Sequence, residues 1–169
     1  MIFYYFDSKK TMRIRKAELS DIAQLKKLYF DTITTVNAAD YNKEQIEAWA
    51  STADRTESLA NRIKSQYFLV SETEDGVIIG FSSLEDDGYL DLMYVHKDFQ
   101  RKGVASELLN KIMEKAVELN VEAITTEASI TAKPFFVKNG FEVTEEQNIF
   151  INYVGLTNYK MKLNLSANL

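Results

Sequence analysis

The sequence predicts a single α+β domain in which a mixed sheet is flanked by helices. Three observations support this prediction. Short strand-like runs alternate with segments whose apolar residues recur at helical spacing. No repeat, low-complexity linker or break in composition divides the chain. The 169 residues are enough for one domain with a sizeable hydrophobic core.

The N-terminal half starts with residues 1–11, which look like an extension ahead of a domain at 12–169. Ser20 is a suitable N-cap for the first helix, and the Glu-Asp-Gly sequence at 74–76 favours a hairpin turn. The predicted elements of this half are, in order, a strand at 13–17, a helix from Ser20 through Ile33, helices at 42–51 and 55–66, and strands at 67–72 and 76–85.

The C-terminal half contains the clearest helix of the chain, at 103–120. Its apolar residues form doublets four apart, so one continuous face is expected to pack on the sheet: Val104, Ala105, Leu108, Leu109, Ile112, Met113, Ala116 and Val117. Around it we predict strands at 88–95 and 122–129, a short helix at 131–140, and final strands at 141–150 and 156–165.

Composition excludes several classes of function. The chain has no cysteine and one histidine, so disulfides, cysteine nucleophiles and zinc sites are not expected, and no metal is predicted. A net charge of −5 argues against nucleic acid as a partner. No apolar run is long enough to span a bilayer, and the N-terminus lacks the pattern of a signal peptide. We therefore expect a cytoplasmic protein without a membrane partner.

A basic loop precedes the clearest helix. Gln100, Arg101, Lys102 and Gly103 come directly before it, and no obvious side-chain cap lies upstream. The first N–H groups of a helix lack intrahelical acceptors, and the helix dipole adds partial positive charge there. Glycine permits close approach of another group. Together these features predict an anion site, most naturally for phosphate, although such a loop is often only solvated.

Two motifs in order give the chain a family resemblance. The sequence Gln100 to Ala105 has the form Gln/Arg-x-x-Gly-x-Gly/Ala and resembles the acyl-CoA pyrophosphate loop of the GNAT N-acetyltransferase superfamily. Downstream, residues 129–141 resemble the second signature of that superfamily, with Ala132, Gly140 and Phe141 in register. The gap between the motifs fits one helix and one strand. The resemblance covers the chain from about Met12 to Leu165.

The resemblance implies a mostly antiparallel sheet of six to seven strands with helices on both faces, and acetyl-CoA as the cosubstrate. The strand end before the loop would offer backbone groups to the pantetheine arm. The loop would bind pyrophosphate through backbone N–H groups. Ser129 takes the place of an asparagine and Phe136 that of a tyrosine in the second signature. The implied cofactor-binding residues are Met93, Tyr94, Val95, Gln100, Arg101, Lys102, Gly103, Val104, Ala105, Ser129 and Phe136.

The implied reaction is direct attack of a primary amine on the thioester in a ternary complex, with no acyl-enzyme. A protonated amine must first lose a proton to a carboxylate or to a relayed water. Asp91 and Glu127 lie on neighbouring predicted strands and are the candidate bases, although each is as readily a surface residue or an ion-pair partner. The tyrosine of the family often protonates the leaving thiolate, which Phe136 cannot do. Tyr94 and Tyr159 are therefore candidate proton relays.

Several alternatives stay open at this point. The replacement at Phe136 also suits a non-catalytic acyl-CoA-binding module or, more weakly, an interaction domain with a vestigial loop. The acceptor amine belongs to a small molecule, a peptide or a protein, and a homodimer is also compatible with the sequence. Tyr41, Trp49, Phe150 and Tyr153 either line an acceptor pocket or pack in the core.

Overall fold

The computed structural model describes residues 12–165, so the predicted extension at 1–11 and the final four residues lie outside the described residues. Within this range there is one seven-stranded sheet and five α-helices. The strands are β1 (Arg13–Lys16), β2 (Tyr67–Glu72), β3 (Ile78–Leu84), β4 (Tyr89–Val95), β5 (Ala123–Ser129), β6 (Glu142–Ile151) and β7 (Val154–Asn164). The helices are α1 (Ile22–Thr35), α2 (Lys43–Ala50), α3 (Thr56–Ser65), α4 (Val104–Glu118) and α5 (Lys133–Lys138).

The strand order is β1-β2-β3-β4-β5-β7-β6. Every neighbouring pair is antiparallel except β4 and β5, which run parallel and are joined through α4. A parallel pair needs a crossover connection, and α4 is that crossover. The predicted α+β class with a mostly antiparallel sheet of six to seven strands is confirmed.

Helices cover both faces of the sheet. In β2, Phe68 packs in a cluster with Leu25 of α1, whereas the next residue, Leu69, packs in a cluster with Leu108 of α4. Successive strand residues point to opposite faces, so α1 and α4 lie on opposite sides. The helices α2 and α3 share the side of α1, and α5 shares that of α4.

Two local expectations need correction. Ser20 does not cap α1, because a 3-10 turn at Leu19–Asp21 precedes that helix. The carboxylate of Asp21 accepts from the Glu18 N–H at 2.8 Å and pairs with Arg15 at 2.7 Å. Val117 is 59% exposed, so the apolar face of α4 ends one residue earlier than predicted.

Within residues 12–165, no helix is both long and apolar enough to cross a membrane.

Phe136 lies in the core between α5 and the sheet. Its ring contacts Phe141 edge to face, with centroids 5.0 Å apart, and Phe135 at 5.3 Å. The residue is 3% exposed. In this structure the ring of Phe136 is therefore a core contact, and its cofactor-binding role, implied by the resemblance, stays a prediction.

We expect Phe136→Ala to lower the free energy of unfolding by about 3–5 kcal/mol, because it leaves a cavity among buried aromatic rings. Val137→Ala on the same helix is the matched control. Val137 is 51% exposed, so its truncation should change stability by only about 0.5 kcal/mol. Urea denaturation of both variants measures the difference. Equal midpoints for the two variants would show that the ring at 136 is not a core residue.

Candidate active site

The centre of the sheet opens into a wedge because the two parallel strands pair only at the first two residues of β4. Tyr89 pairs with Thr125 and Leu90 pairs with Thr126, whose hydroxyl donates to the Leu90 carbonyl at 2.8 Å. Beyond these pairs, β4 stays paired with β3 and β5 with β7, but β4 and β5 do not pair further in the described residues. The wedge widens toward the C-terminal ends of both strands.

A β-bulge marks the point where the strands part. Ser83 and Leu84 of β3 face Leu92 and Leu90 of β4, which leaves Asp91 as the extra residue. A bulge bends its strand and increases the local twist. The bend falls directly after Leu90, the last residue of β4 that pairs with β5, so it accounts for the divergence of the two strands.

The hydrogen-bond pattern of β4 shows which backbone groups face the wedge. The His96 N–H donates to the Ile79 carbonyl at 2.8 Å, which makes Val95 a member of a non-hydrogen-bonded pair. Because the pattern alternates, Met93 and Val95 direct their backbone groups away from β3 and into the wedge. Tyr94 directs its own toward β3. The backbone groups of Met93 and Val95 are therefore oriented to contact a pantetheine arm, as the resemblance implies. Those of Tyr94 are not, which corrects the expectation for that residue.

The carbonyl of Val95 already has partners. It accepts from Gln100 Nε2 at 2.6 Å and from Thr32 Oγ1 at 3.1 Å. The side chain of Gln100 thus ties the start of the loop to the end of β4, and Thr32 ties α1 to the same point. At Val95, the backbone N–H is the group left facing the wedge.

The loop before α4 presents a row of N–H groups without protein acceptors. Within residues 12–165, no backbone N–H from Arg101 to Ser106 donates a hydrogen bond, and the first to do so is Glu107, to the Gly103 carbonyl at 3.0 Å. Arg101 and Gly103 have φ angles of 58° and 87°. A Cβ on Gly103 would meet no described atom within 4 Å, so the space above this glycine is open.

The loop side chains are divided between structure and solvent. Lys102 Nζ donates to the Asp98 carbonyl at 2.8 Å and lies 4.9 Å from the centre of the Phe99 ring. The side chain of Val104 is 1% exposed in the core, so only its backbone can face an anion. Ala105 is half-buried. Anion binding here would therefore depend chiefly on backbone N–H groups, with Arg101 and Lys102 adding charge beside them.

The two candidate bases lie on one face of the sheet, just past the last β4–β5 pairs. Asp91 accepts from Arg62 Nε at 2.6 Å and from Gln66 Nε2 at 2.8 Å. Glu127 is exposed, and within residues 12–165 its carboxylate accepts one hydrogen bond, from Asn158 Nδ2 at 3.4 Å. The carboxylate of Asp91 is thus committed to an ion pair, whereas that of Glu127 faces solvent beside the wedge.

Tyr89 lies among these carboxylates. Burial raises the pKa of its phenol to about 12, and the negative charges of Glu127, Asp91 and Glu85 add to the increase. The phenol therefore stays protonated at neutral pH. Tyr89 was not a candidate from the sequence, and it belongs to the polar group at the base of the wedge.

Tyr94 packs on the face of α1. Its ring lies 4.7 Å from the ring of Tyr29 and 5.3 Å from that of Phe81. Burial raises the pKa of its phenol well above the usual value, and the neighbouring Tyr29 adds to the shift. A phenol held protonated in this way can donate a proton, but its ring also serves as a core contact between α1 and β4.

Tyr159 lies on the other face of the sheet. It pairs with Ala128 of β5, and both belong to the cluster under α4 and α5. Lys133 Nζ lies 3.8 Å from the centre of the Tyr159 ring. Burial raises the pKa of this phenol, and Glu146 adds to the increase. The structure therefore does not bring Tyr159 together with Asp91, Glu127 and Tyr94 on one face.

Ser129 stands at the C-terminal end of β5, beside the wedge. Its Oγ accepts from the Ala132 N–H at 3.0 Å and so begins the turn into α5. Its hydroxyl proton remains available to a ligand.

A cavity of about 250 Å³ lies on the α1 face, next to the wedge. Trp49 lines this cavity, which agrees with the alternative that places it in an acceptor pocket. Tyr41 is instead buried and donates to the Thr157 carbonyl at 2.7 Å. Phe150 and Tyr153 are 69% and 99% exposed and do not line it, and Ile151 from the same hairpin does.

The sequence reasoning missed the two residues that hold Asp91. Arg62 lies in the last turn of α3, and Gln66 follows four residues later, directly after that helix ends. That spacing is a visible signal, but no local pattern links it to a strand residue more than twenty positions later. Only the packing of α3 against the sheet brings Arg62 to Asp91.

Comparison with known proteins places these features in a family. Residues 37–163 match the acetyltransferase (GNAT) domain. The uncharacterized N-acetyltransferase YafP of Escherichia coli K12 is 32% identical over 151 residues, which cover 89% of this chain and 95% of YafP. A GCN5-related N-acetyltransferase from Rhodopseudomonas palustris has a TM-score of 0.87 and 32% identity, covering 92% of this chain and 96% of its own.

A more distant solved structure shares the fold. The PaiA N-acetyltransferase of Thermoplasma acidophilum, determined in complex with coenzyme A, has a TM-score of 0.75 at 21% identity and covers 91% of this chain and 99% of its own.

The fold and the wedge define an acyltransferase architecture, with a parted parallel strand pair and a loop of free N–H groups at the start of the crossover helix. The match over most of the chain makes the assignment specific. The protein belongs to the GNAT acetyltransferase family, and the recognition based on the two motifs is confirmed.

Proposed function

We propose that this protein is an acetyl-CoA-dependent N-acetyltransferase that transfers the acetyl group directly to a primary amine in a ternary complex. The wedge between β4 and β5 carries this proposal. It connects the free N–H groups of the loop before α4 with the carboxylates of Asp91 and Glu127 on the other side of the sheet. A cytoplasmic location is part of this proposal.

The residues at the wedge fit a CoA thioester. The N–H groups from Arg101 to Ser106 suit the pyrophosphate, because a helix start supplies both donors and partial positive charge. The backbone groups of Met93 and Val95 that face the wedge suit an extended amide-containing arm. The hydroxyl of Ser129 offers one further donor at the opposite edge.

The amine needs a base before it can attack. A primary amine with a pKa near 10.4 is almost fully protonated at neutral pH. Glu127 is the better-placed carboxylate, because it is exposed beside the wedge and Asp91 is held by Arg62 and Gln66. Glu127 accepts the proton directly or through a water. The backbone N–H of Met93 is directed toward the developing negative charge on the carbonyl oxygen.

The leaving thiolate does not require a tyrosine. A thiol has a pKa near 8.5, so its thiolate is a fair leaving group that solvent can protonate afterwards. Tyr94 is the tyrosine relay that shares a face with the carboxylates, and its raised pKa keeps it protonated. The second candidate function, a non-catalytic acyl-CoA-binding module, is favoured only by the lack of a hydroxyl at Phe136.

We expect acetyl-CoA to stabilise the protein. At about 100 times its Kd, a ligand that binds only the folded state adds about 2.7 kcal/mol, or roughly 5–10 °C in Tm for a chain of this size. Differential scanning fluorimetry measures the shift, and release of free CoA across a panel of primary amines measures transfer. Binding without release for any amine would favour the non-catalytic module. No shift at millimolar acetyl-CoA would remove the cosubstrate from the proposal.

We expect Gly103→Asn to weaken CoA binding about 10–100-fold, because its side chain would occupy the open space above the loop. Asparagine tolerates the left-handed region, so backbone strain is small. Gly76→Asn is the matched control. Gly76 has a φ of 75° and also has no described atom within 4 Å of a Cβ, but it lies in the β2–β3 turn. Equal CoA affinities for both variants in calorimetric titrations would place the pyrophosphate elsewhere.

We expect Glu127→Gln to lower kcat by about 10²–10⁴-fold with one accepted amine, because it removes the proton acceptor. Asp91→Asn should lower kcat less, since its carboxylate is committed to Arg62. Steady-state kinetics of both variants, with CoA affinity as the control for an intact fold, measures the contrast. A larger loss of kcat in Asp91→Asn would exchange the roles of the two carboxylates. Near-normal kcat in both would transfer the role to a water relay.

A further inference from the structure

We propose that the acceptor is a small primary amine that carries an apolar body and a carboxylate, and that Arg55 binds the carboxylate. This inference rests on the proposed function and specifies its substrate class. It derives from the cavity of about 250 Å³ on the α1 face, which runs from Leu92 beside the wedge to Arg55 at the start of α3.

The walls of this cavity are aromatic and fixed in place. Trp49 Nε1 donates to the Tyr29 hydroxyl at 3.1 Å, and that hydroxyl also hydrogen-bonds Thr52 Oγ1 at 2.8 Å. Phe81 and Leu92 add apolar surface from the sheet. The polar atoms of Tyr29 and Trp49 thus satisfy each other, which leaves ring surface for the body of a ligand.

The size of the cavity favours a small acceptor. Sites for drug-sized ligands have volumes of roughly 300–1,000 Å³, and this one lies just below that range. Trp49 and Ile151 close it on the side of α2 and the β6–β7 hairpin. A molecule about as large as one amino acid fits such a space better than a folded protein surface does.

The charge of the lining is opposite to that of the chain. Among the residues that the structure describes, Lys26, Arg55 and Arg62 line the cavity and no carboxylate does, although the net charge of the protein is −5. Arg62 is neutralised by Asp91 at 2.6 Å, and Lys26 lies 3.6 Å from Asp54, which is 95% exposed.

Arg55 is the remaining cation. Within residues 12–165 it makes no ion pair and no side-chain hydrogen bond. Glu57, two residues further on, lines the neighbouring cavity rather than this one. The planar guanidinium can bind a carboxylate through two parallel hydrogen bonds, which gives orientation as well as affinity. A carboxylate at Arg55 leaves the other end of the molecule at Leu92, next to the backbone of Met93 that faces the wedge.

The test uses the single tryptophan of the chain. Because Trp49 lines the cavity, its fluorescence reports binding independently of turnover. The probes are L-leucine, L-phenylalanine and 6-aminohexanoate, each compared with its carboxamide, on the protein saturated with CoA. We expect at least one acid to bind about 10–100-fold more tightly than its amide, and Arg55→Ala to abolish that preference. Arg55→Lys should restore part of it.

Lys64→Ala is the matched control, since Lys64 is an exposed cation on α3, the helix that follows Arg55, and does not line the cavity. It should leave the acid–amide preference unchanged. Equal binding of acids and amides, or a preference that survives Arg55→Ala, would overturn the inference. CoA release separates this result from the proposed function. Transfer to amines with no preference for a carboxylate would support the proposed function and contradict the role of Arg55. Arg55-dependent binding without CoA release would support the role of Arg55 and contradict the proposed function.

Discussion

The parallel pairing of β4 and β5 is the constraint on which the site depends. Within residues 12–165 it is the one parallel contact in an otherwise antiparallel sheet. A parallel pair requires a crossover, and α4 provides it, so the N-terminus of α4 must start near the C-terminal end of β4. Open α/β sheets bind ligands at such strand ends for the same reason. The loop of free N–H groups and the wedge are therefore neighbours because of the topology.

The bulge at Asp91 converts this arrangement into a usable opening. Without an extra residue in β4, pairing with β5 could continue along the strand, and the backbone groups of Met93 and Val95 would be consumed by the ladder. With it, those groups face a gap, while Arg62 and Gln66 hold the bulged residue from α3. Asp91, a candidate base from the sequence, is thus held by two structural partners, and for this reason we propose Glu127 as the base instead.

The sequence predicted the elements well because their signals are local. The apolar doublets of α4 indicate a helix, and the glycine at its start indicates an N-terminus suited to bind phosphate. The positions that sequence reasoning placed less well depend on contacts between distant segments. Phe136 fits the register of a family signature, yet whether its ring faces a ligand or the core is decided by Phe141 and the packing of α5. The pairing of Asp91 with Arg62 likewise joins α3 and β4, which no periodicity connects.

Two carboxylates in different surroundings can take different roles, and this site has that arrangement. In the proposed reaction, proton removal from the amine is the more demanding proton transfer, because an amine pKa near 10.4 lies well above neutral pH. A thiolate whose thiol has a pKa near 8.5 leaves without much assistance. A solvent-facing Glu127 addresses the first requirement. A tyrosine at position 136 would address only the second. The proposed reaction therefore does not depend on a tyrosine at position 136, provided that a base remains on the amine side of the sheet.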